Sequence, residues 1–169
     1  MSLLLQKAST SDALTLNGMS KRAFDSDVNL GGPSSGGPPG YMSVPFHTKM
    51  ARQGHLYKLT EDGLIVGGAI LFLKGNELNV GRIFISPEHF RKGYGIFMMR
   101  EIEKLFPEAK EFTLDTPVWN VRTNSFYAIW SLGTGLVVHL HNLFTVDTDI
   151  SINRDICFVV SPLCRSCRT

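Results

Sequence analysis

Residues 80–99, VGRIFISPEHFRKGYGIFMM, constrain this chain more than any other stretch. An apolar β-type run, Val80 to Ile85, enters a turn at Ser86-Pro87-Glu88. A basic, glycine-spaced segment follows, Arg91-Lys92-Gly93-Tyr94-Gly95, and it opens directly into a helical pattern from Ile96 to Phe106. Strand, glycine turn and helix N-terminus in that order make a phosphate-binding device. The first N–H groups of a helix have no partner within the helix, and the helix dipole favours an anion beside them. Glycines at 93 and 95 let a phosphate approach the backbone with no Cβ in the way. Arg91 and Lys92 add positive charge at the same place. The bland alternative is a glycine-bearing strand-to-helix turn that holds no ligand.

The rest of the chain sets limits. At 169 residues it is expected to form one domain, residues 1–169, large enough to bury a sizeable core. A net charge of +2 is too small to point to nucleic acid or a membrane surface. No run approaches the ~18 apolar residues of a membrane span. Met1-Ser2-Leu3-Leu4-Leu5 lacks the basic start and apolar stretch of a secretory signal, so a cytoplasmic location is expected. Cys157, Cys164 and Cys167 are too few for a secreted disulfide framework. A zinc site at Cys164-x-x-Cys167 would need a second ligand pair, which is missing. Reduced thiols in a loose tail over residues 161–169 are expected instead, whether that tail is a divergent or an out-of-frame C-terminus. His139 and His141 share one strand face, but two ligands without a third make a weak metal site. No metal is expected.

Along the chain, Leu3 to Ala8 reads as a strand, and Ser9 to Ser11 can cap a helix from Asp12 to about Phe24. Residues 31–40, GGPSSGGPPG, cannot hold regular structure and are expected to form a flexible loop without core contacts. Ser43 to Gln53 reads as a second helix. Leu56 to Thr60, a turn at Asp62-Gly63 and Leu64 to Leu73 read as a hairpin, and Lys74-Gly75-Asn76 leads into a strand from Glu77 to Ile85. The unbroken apolar run Leu64 to Leu73 suits a strand covered on both faces. Leu136 to Leu140 and Asp155 to Val160 are the remaining strand candidates.

A second informative segment lies downstream. Glu111 to Thr116 alternates as a strand. Asn120 follows Pro117-Val118-Trp119, and Phe126-Tyr127 stands six residues beyond it. With the 80–99 stretch, this resembles the GNAT superfamily of acyl-CoA-dependent N-acyltransferases. Their signature after a strand is Gln/Arg-x-x-Gly-x-Gly/Ala, represented here by Phe90 to Gly95, with Phe90 in place of the usual Gln or Arg. Their later Asn, Phe and Tyr match Asn120, Phe126 and Tyr127. The family's next glycine comes two residues late here, at Gly133, and the likeness fades after that point.

The resemblance implies a mixed α/β fold: a central, twisted, mostly antiparallel sheet of about seven strands flanked by helices. Acyl-CoA would lie in the splay between the fourth and fifth strands. It implies an enzyme that moves an acetyl group from acetyl-CoA to a primary amine by direct attack. The alternative is a non-catalytic acyl-CoA-binding or sensing module on the same fold. The implied cofactor-binding residues are Phe84 and Ile85, through their main chain, then Arg91, Lys92, Gly93, Tyr94, Gly95 and Ile96 at the helix start, and Asn120 on the pantetheine arm. Asn120 can alternatively be the N-cap of its helix. Tyr127 matches the family's general acid; the alternative is an aromatic packed on the sheet. Asn79 stands where several members carry a basic Glu and cannot take a proton. That leaves Glu77 or Asp115 as base, or a water chain to solvent. The implied partners are acetyl-CoA and an amine-bearing acceptor, with a homodimer open. The 31–40 loop, lying between the first two helices, would border the acceptor pocket.

Overall fold

The computed structural model describes residues 2–32, 34–117, 119–134, 136–146 and 149–159, with side chains through Leu140 except at Thr134. The strands follow the alternation in the sequence: β1 (Leu3–Lys7), β2 (Leu56–Glu61), β3 (Leu64–Lys74), β4 (Glu77–Ile85), β5 (Glu111–Pro117), β6 (Val137–Val146) and β7 (Asp149–Val159). They form one seven-stranded sheet in sequence order. Only the β4–β5 and β5–β6 pairs are parallel. Each of these needs a crossover, and α3 (Tyr94–Leu105) and α4 (Val121–Thr134) supply them. β2–β3 and β3–β4 use tight turns instead, whereas β1 and β2 pair antiparallel across the segment that carries α1 (Ala13–Asp25) and α2 (Val44–Arg52); at Asp62-Gly63 both residues take positive φ, 48° and 87°, which matches the twist of the flanking strands.

Helices α1 (Ala13–Asp25) and α2 (Val44–Arg52) cover the other face. Ser43 caps α2, accepting a hydrogen bond from the Phe46 N–H at 3.3 Å. Two cores result. Tyr94, Met98, Met99 and Ile102 of α3 join Tyr127 and Trp130 of α4 over Leu78, Val80, Phe112 and Leu114. On the opposite face, Leu16, Ala23 and Met50 pack with Leu56, Ile70 and Phe84. The middle of β3, Val66 to Leu71, is buried between them, as its unbroken apolar run requires.

One irregularity shapes everything that follows. Ile70 pairs with Arg82 and Leu71 with Val80, so Gly81 is an extra residue in β4. Such a bulge bends its strand and inverts the side-chain alternation. Leu78 and Val80 face the α3/α4 core before it; Ile83 and Ile85 face that core after it. The β4–β5 pairing runs from Glu77↔Glu111 to Val80↔Leu114 and stops at the bulge. Past it the two strands part.

β6 and β7 are longer than the sequence suggests. The last β5–β6 pair is Pro117↔Leu143, and Phe144 to Val146 pair only with Asp149 to Ser151. That end is a two-stranded ribbon. The 161–169 tail with Cys164 and Cys167 lies outside the described residues.

Candidate active site

α3 begins at Tyr94, two residues before the Ile96 start expected from the sequence, so Tyr94 and Gly95 belong to its first turn. Gly93 is its N-cap, at φ 81° and ψ 4°, and Arg91 also has positive φ, 62°. Left-handed residues placed this way turn successive N–H groups toward one concavity. The N–H groups of Lys92, Gly93, Tyr94, Gly95 and Ile96 find no acceptor among the described residues; the first bond of the helix is Phe97 N–H to Gly93 O, 3.0 Å. A Cβ at Gly93 would meet nothing within 4 Å, so the concavity is open there.

The two glycines do different jobs. A Cβ at Gly95 would lie 3.0 Å from the Phe126 ring, so Gly95 lets α3 and α4 close together rather than opening the backbone to an anion. Tyr94 contributes its N–H to the concavity while its side chain turns inward. Its hydroxyl donates to Glu61, and that bond, chiefly, pushes its pKa up to about 12. His89 stacks on the Tyr94 ring at 5.7 Å and accepts from Lys92 Nζ at 3.1 Å. Arg91 and Lys92 are exposed. The Phe90 ring, standing where the family carries Gln or Arg, has the Arg122 guanidinium 4.5 Å above it.

The splay opens beside this helix start. The Phe84 carbonyl points at β3, only 2.6 Å from where a Gly67 Cβ would be, and the Ser86 N–H donates to Val66 O at 2.9 Å. Main-chain groups alternate along a strand, so those of Ile83 and Ile85 face the gap. This corrects the expectation for Phe84: its backbone is used by β3, and its side chain is core. The main chains of Ile83 and Ile85, rather than that of Phe84, border the gap.

Asp115 is the first β5 residue beyond the last β4 pair. It alternates with the buried Phe112 and Leu114, so it faces the α1/α2 side of the gap and is exposed. Glu77 is not brought to the gap. It sits at the other end of β4, about 26 Å from Ile85 at ~3.3 Å per residue. There it accepts from Thr113 Oγ1 at 3.2 Å, which itself accepts from Asn79 Nδ2 at 3.1 Å.

Tyr127 is 4% exposed, within the α3/α4 core. Burial, with the Asp115 charge adding to it, pushes its phenol above the usual range and keeps it protonated. The Asp115 influence ties the phenol to the end of β5 where the strands have parted. Asn120 does what its alternative role requires. Its Oδ1 accepts from the Thr123 N–H at 3.1 Å, capping α4, and its Nδ2 donates to Asp27 Oδ2 at 2.9 Å. Both polar ends of its amide are thereby engaged inside the protein.

Asp27 had no signal in the sequence. It lies just after α1, is 7% exposed, and also pairs with Arg122 Nη2 at 2.5 Å. Burial raises its carboxyl pKa, opposed by Arg122 and by the Asn120 bond. Removing one member of a buried pair strands the other. Asp27→Ala is therefore expected to cost about 2–4 kcal/mol of stability. Urea unfolding tests this; a cost below about 0.5 kcal/mol would show the cluster to be marginal.

The glycine-rich connection also departs from expectation. Cβ atoms at Gly32, Gly37 and Gly40 would come within 3.0 Å or less of Trp119, of Phe24 and Tyr41, and of Phe46, respectively. The glycines are there because aromatic rings lie against the backbone, so the segment does make core contacts. It runs from the Asp27 cluster to Pro39, whose carbonyl accepts from Arg82 Nη2 at 2.8 Å.

Among the described residues no group of three His, Cys, Asp or Glu could hold a metal, and no helix is long and apolar enough to cross a membrane. His139 Nε2 lies 3.7 Å from Glu111 Oε2. The His141 and Cys157 side chains lie outside the described set.

Residues 33–130, more than half the chain, match the model of the acetyltransferase (GNAT) family. The chain belongs to that family. No curated protein matches it. Among solved structures it is similar to the PaiA N-acetyltransferase from Thermoplasma acidophilum in complex with coenzyme A. That match has 19% identity and a TM-score of 0.66, covering 88% of this chain and 94% of that one. It is similar also to the ribosomal-protein-S18-alanine N-acetyltransferase of Escherichia coli, with 18% identity, TM-score 0.59 and coverage of 78% and 77%. A third is AAC(6')-Iy in complex with a bisubstrate analog, with 14% identity, TM-score 0.58 and coverage of 93% and 100%. At these identities the likeness is one of fold.

Proposed function

We propose that this protein is an N-acetyltransferase that moves an acetyl group from acetyl-CoA to a primary amine. The observation that carries the proposal is the alignment of two features. The β4–β5 gap begins at the Gly81 bulge, and the β4 strand bordering it leads straight into the free N–H concavity at Gly93. A slot edged by unused strand backbone and ending at an anion site suits an extended arm with a pyrophosphate at one end. The structural relatives include one in complex with coenzyme A and one in complex with a bisubstrate analog.

In this proposal the N–H groups of Lys92 to Ile96 hold the pyrophosphate, with Arg91 and Lys92 adding charge. Ile83 and Ile85 pair with the arm through their main chain and polarise the thioester carbonyl. The neutral amine attacks that carbonyl carbon, the C–N bond forms and the C–S bond breaks. Asp115, directly or through water, takes the proton the amine loses. Tyr127, kept protonated by burial, gives one to the departing CoA sulfur. Asn120 acts by fixing α4 rather than by touching the arm. Acetyl transfer to a panel of primary amines, followed by release of free CoA thiol, tests this. Tight acetyl-CoA binding without transfer to any of them would favour a binding or sensing module.

The 31–40 connection is proposed to border the acceptor rather than CoA, because Pro39 lies over Arg82 on the α1/α2 face. Deleting residues 34–37 should therefore change amine KM or selectivity while leaving acetyl-CoA affinity within about a factor of two. Titration calorimetry and amine kinetics would check this. Loss of acetyl-CoA binding in a folded deletion variant would assign the segment to the CoA side.

A further inference from the structure

Among the described residues, Arg82 is a buried cation without an anion. It is the first β4 residue after the bulge, and it faces α1 and α2. It is 8% exposed. Its Nη2 donates to the Pro39 carbonyl at 2.8 Å, and the guanidinium lies 4.8 Å from the Phe46 ring centre. Its Nη1 is buried with no hydrogen-bond partner among the described residues. Among the described residues none forms an ion pair with it, whereas the other buried charged residue, Asp27, has Arg122. A guanidinium held in a core by a neutral carbonyl and an aromatic face is under-compensated.

Resting on the acetyl-transfer proposal, we propose that Arg82 binds the acceptor, and that the acceptor is an amine that also carries a carboxylate. The carboxylate takes the place held on the guanidinium by the Pro39 carbonyl.

Position supports this. Arg82 lies two residues past the last β4–β5 pair, at the mouth of the gap and on the face away from α3. Asp115 stands on the same face across that gap. A short amino-carboxylate held at Arg82 would present its amine toward Ile83 and Ile85, with Asp115 on the other flank to attract the ammonium and take its proton.

Charge supports it too. Burial lowers the Arg82 pKa to about 10, which leaves it charged at neutral pH. His47, also buried, donates from Nδ1 to Ser43 O at 2.9 Å, and its Nε2 is buried without a partner among the described residues. Burial keeps that imidazole neutral. One net positive charge matches a carboxylate better than a phosphate dianion, and the planar guanidinium fork matches a carboxylate by two parallel bonds.

The test is titration calorimetry of the full chain saturated with CoA, which needs no turnover. The probes are β-alanine, γ-aminobutyrate, L-lysine and L-methionine, each against its own carboxamide. At least one acid should bind about 30-fold or more tighter than its amide. Arg82→Met should reduce that ratio to about threefold or less, and Arg82→Lys should fall between, with the fold checked by circular dichroism. Acids and amides binding alike, no acid binding while CoA binds, or an acid preference that survives Arg82→Met would each overturn the assignment. If Arg82→Met does not fold, the acid-to-amide ratio of the parent chain decides alone. If CoA itself fails to bind, the acetyl-transfer proposal fails, and the same titration without CoA still decides whether the carboxylate site exists.

Discussion

A Gly93→Val variant is expected to bind acetyl-CoA at least ~100-fold more weakly than the parent, a loss of about 2.7 kcal/mol or more. Two effects act together. Gly93 sits at φ 81°, where a β-branched residue is strained by roughly 1–3 kcal/mol, so valine would pull the N-cap out of the conformation that turns the N–H groups inward. The added side chain would also point into space that is open at present and that the proposal gives to the pyrophosphate. Gly93→Ala carries most of the strain and less of the bulk, so its loss should be smaller, about tenfold. Calorimetry with acetyl-CoA reads both, with circular dichroism to confirm the fold. An unchanged affinity in a folded Gly93→Val variant would remove the phosphate from this turn. Gly95→Val should act differently. It would push Phe126 and with it α4, lowering stability as well as binding.

Tyr127→Phe should lower kcat by about 100-fold while leaving the acetyl-CoA KM nearly unchanged. The hydroxyl is asked to act only as the sulfur leaves, and loss of a positioned general acid costs on the order of 10²–10⁴. The ring is retained, so the packing with Phe126, 5.0 Å away, and with the α3/α4 core is kept. A pH signature accompanies this role. The acid must be protonated to work, and burial raises its pKa above the ordinary ~10. Raising the pH through 9 and 10 should therefore not switch off the parent enzyme's chemical step, although an exposed phenol would lose its proton there. A variant as fast as the parent would return Tyr127 to packing alone.

The parts of this molecule that were legible in the sequence are those fixed locally. Alternation and glycine spacing marked β4, the turn and α3 because each is built from consecutive residues. The bulge at Gly81 left a readable trace: the apolar positions shift from Leu78 and Val80 to Ile83 and Ile85, a change of parity across a glycine. A lone arginine inside Gly-Arg-Ile-Phe-Ile was a second trace, since a charge in a buried strand calls for a partner. The Asp27–Asn120–Arg122 cluster left none. Its members meet across 93 and 95 residues, and only the fold brings an ordinary helix-end aspartate beside the α4 cap. The same limit explains Glu77 and Asp115. Both are carboxylates on one face of neighbouring strands, and only the register, with pairing that ends at Val80↔Leu114, separates the one at the gap from the one at the far end. Glycine content misled for the 31–40 connection, because it marks close approach to rings there as much as backbone freedom.

The claim that the β4–β5 gap and the α3 N-terminus form one acyl-CoA site is tested most directly by thermal unfolding of the purified chain with acetyl-CoA, CoA and ATP. A ligand present at ~100 times its Kd adds about 2.7 kcal/mol, which for a domain of this size raises Tm by roughly 5–10 °C. The account predicts such a rise with acetyl-CoA and with CoA, and little with ATP, which brings phosphates but no arm for Ile83 and Ile85 to pair with. No rise with acetyl-CoA, or an equal rise with ATP, would contradict it.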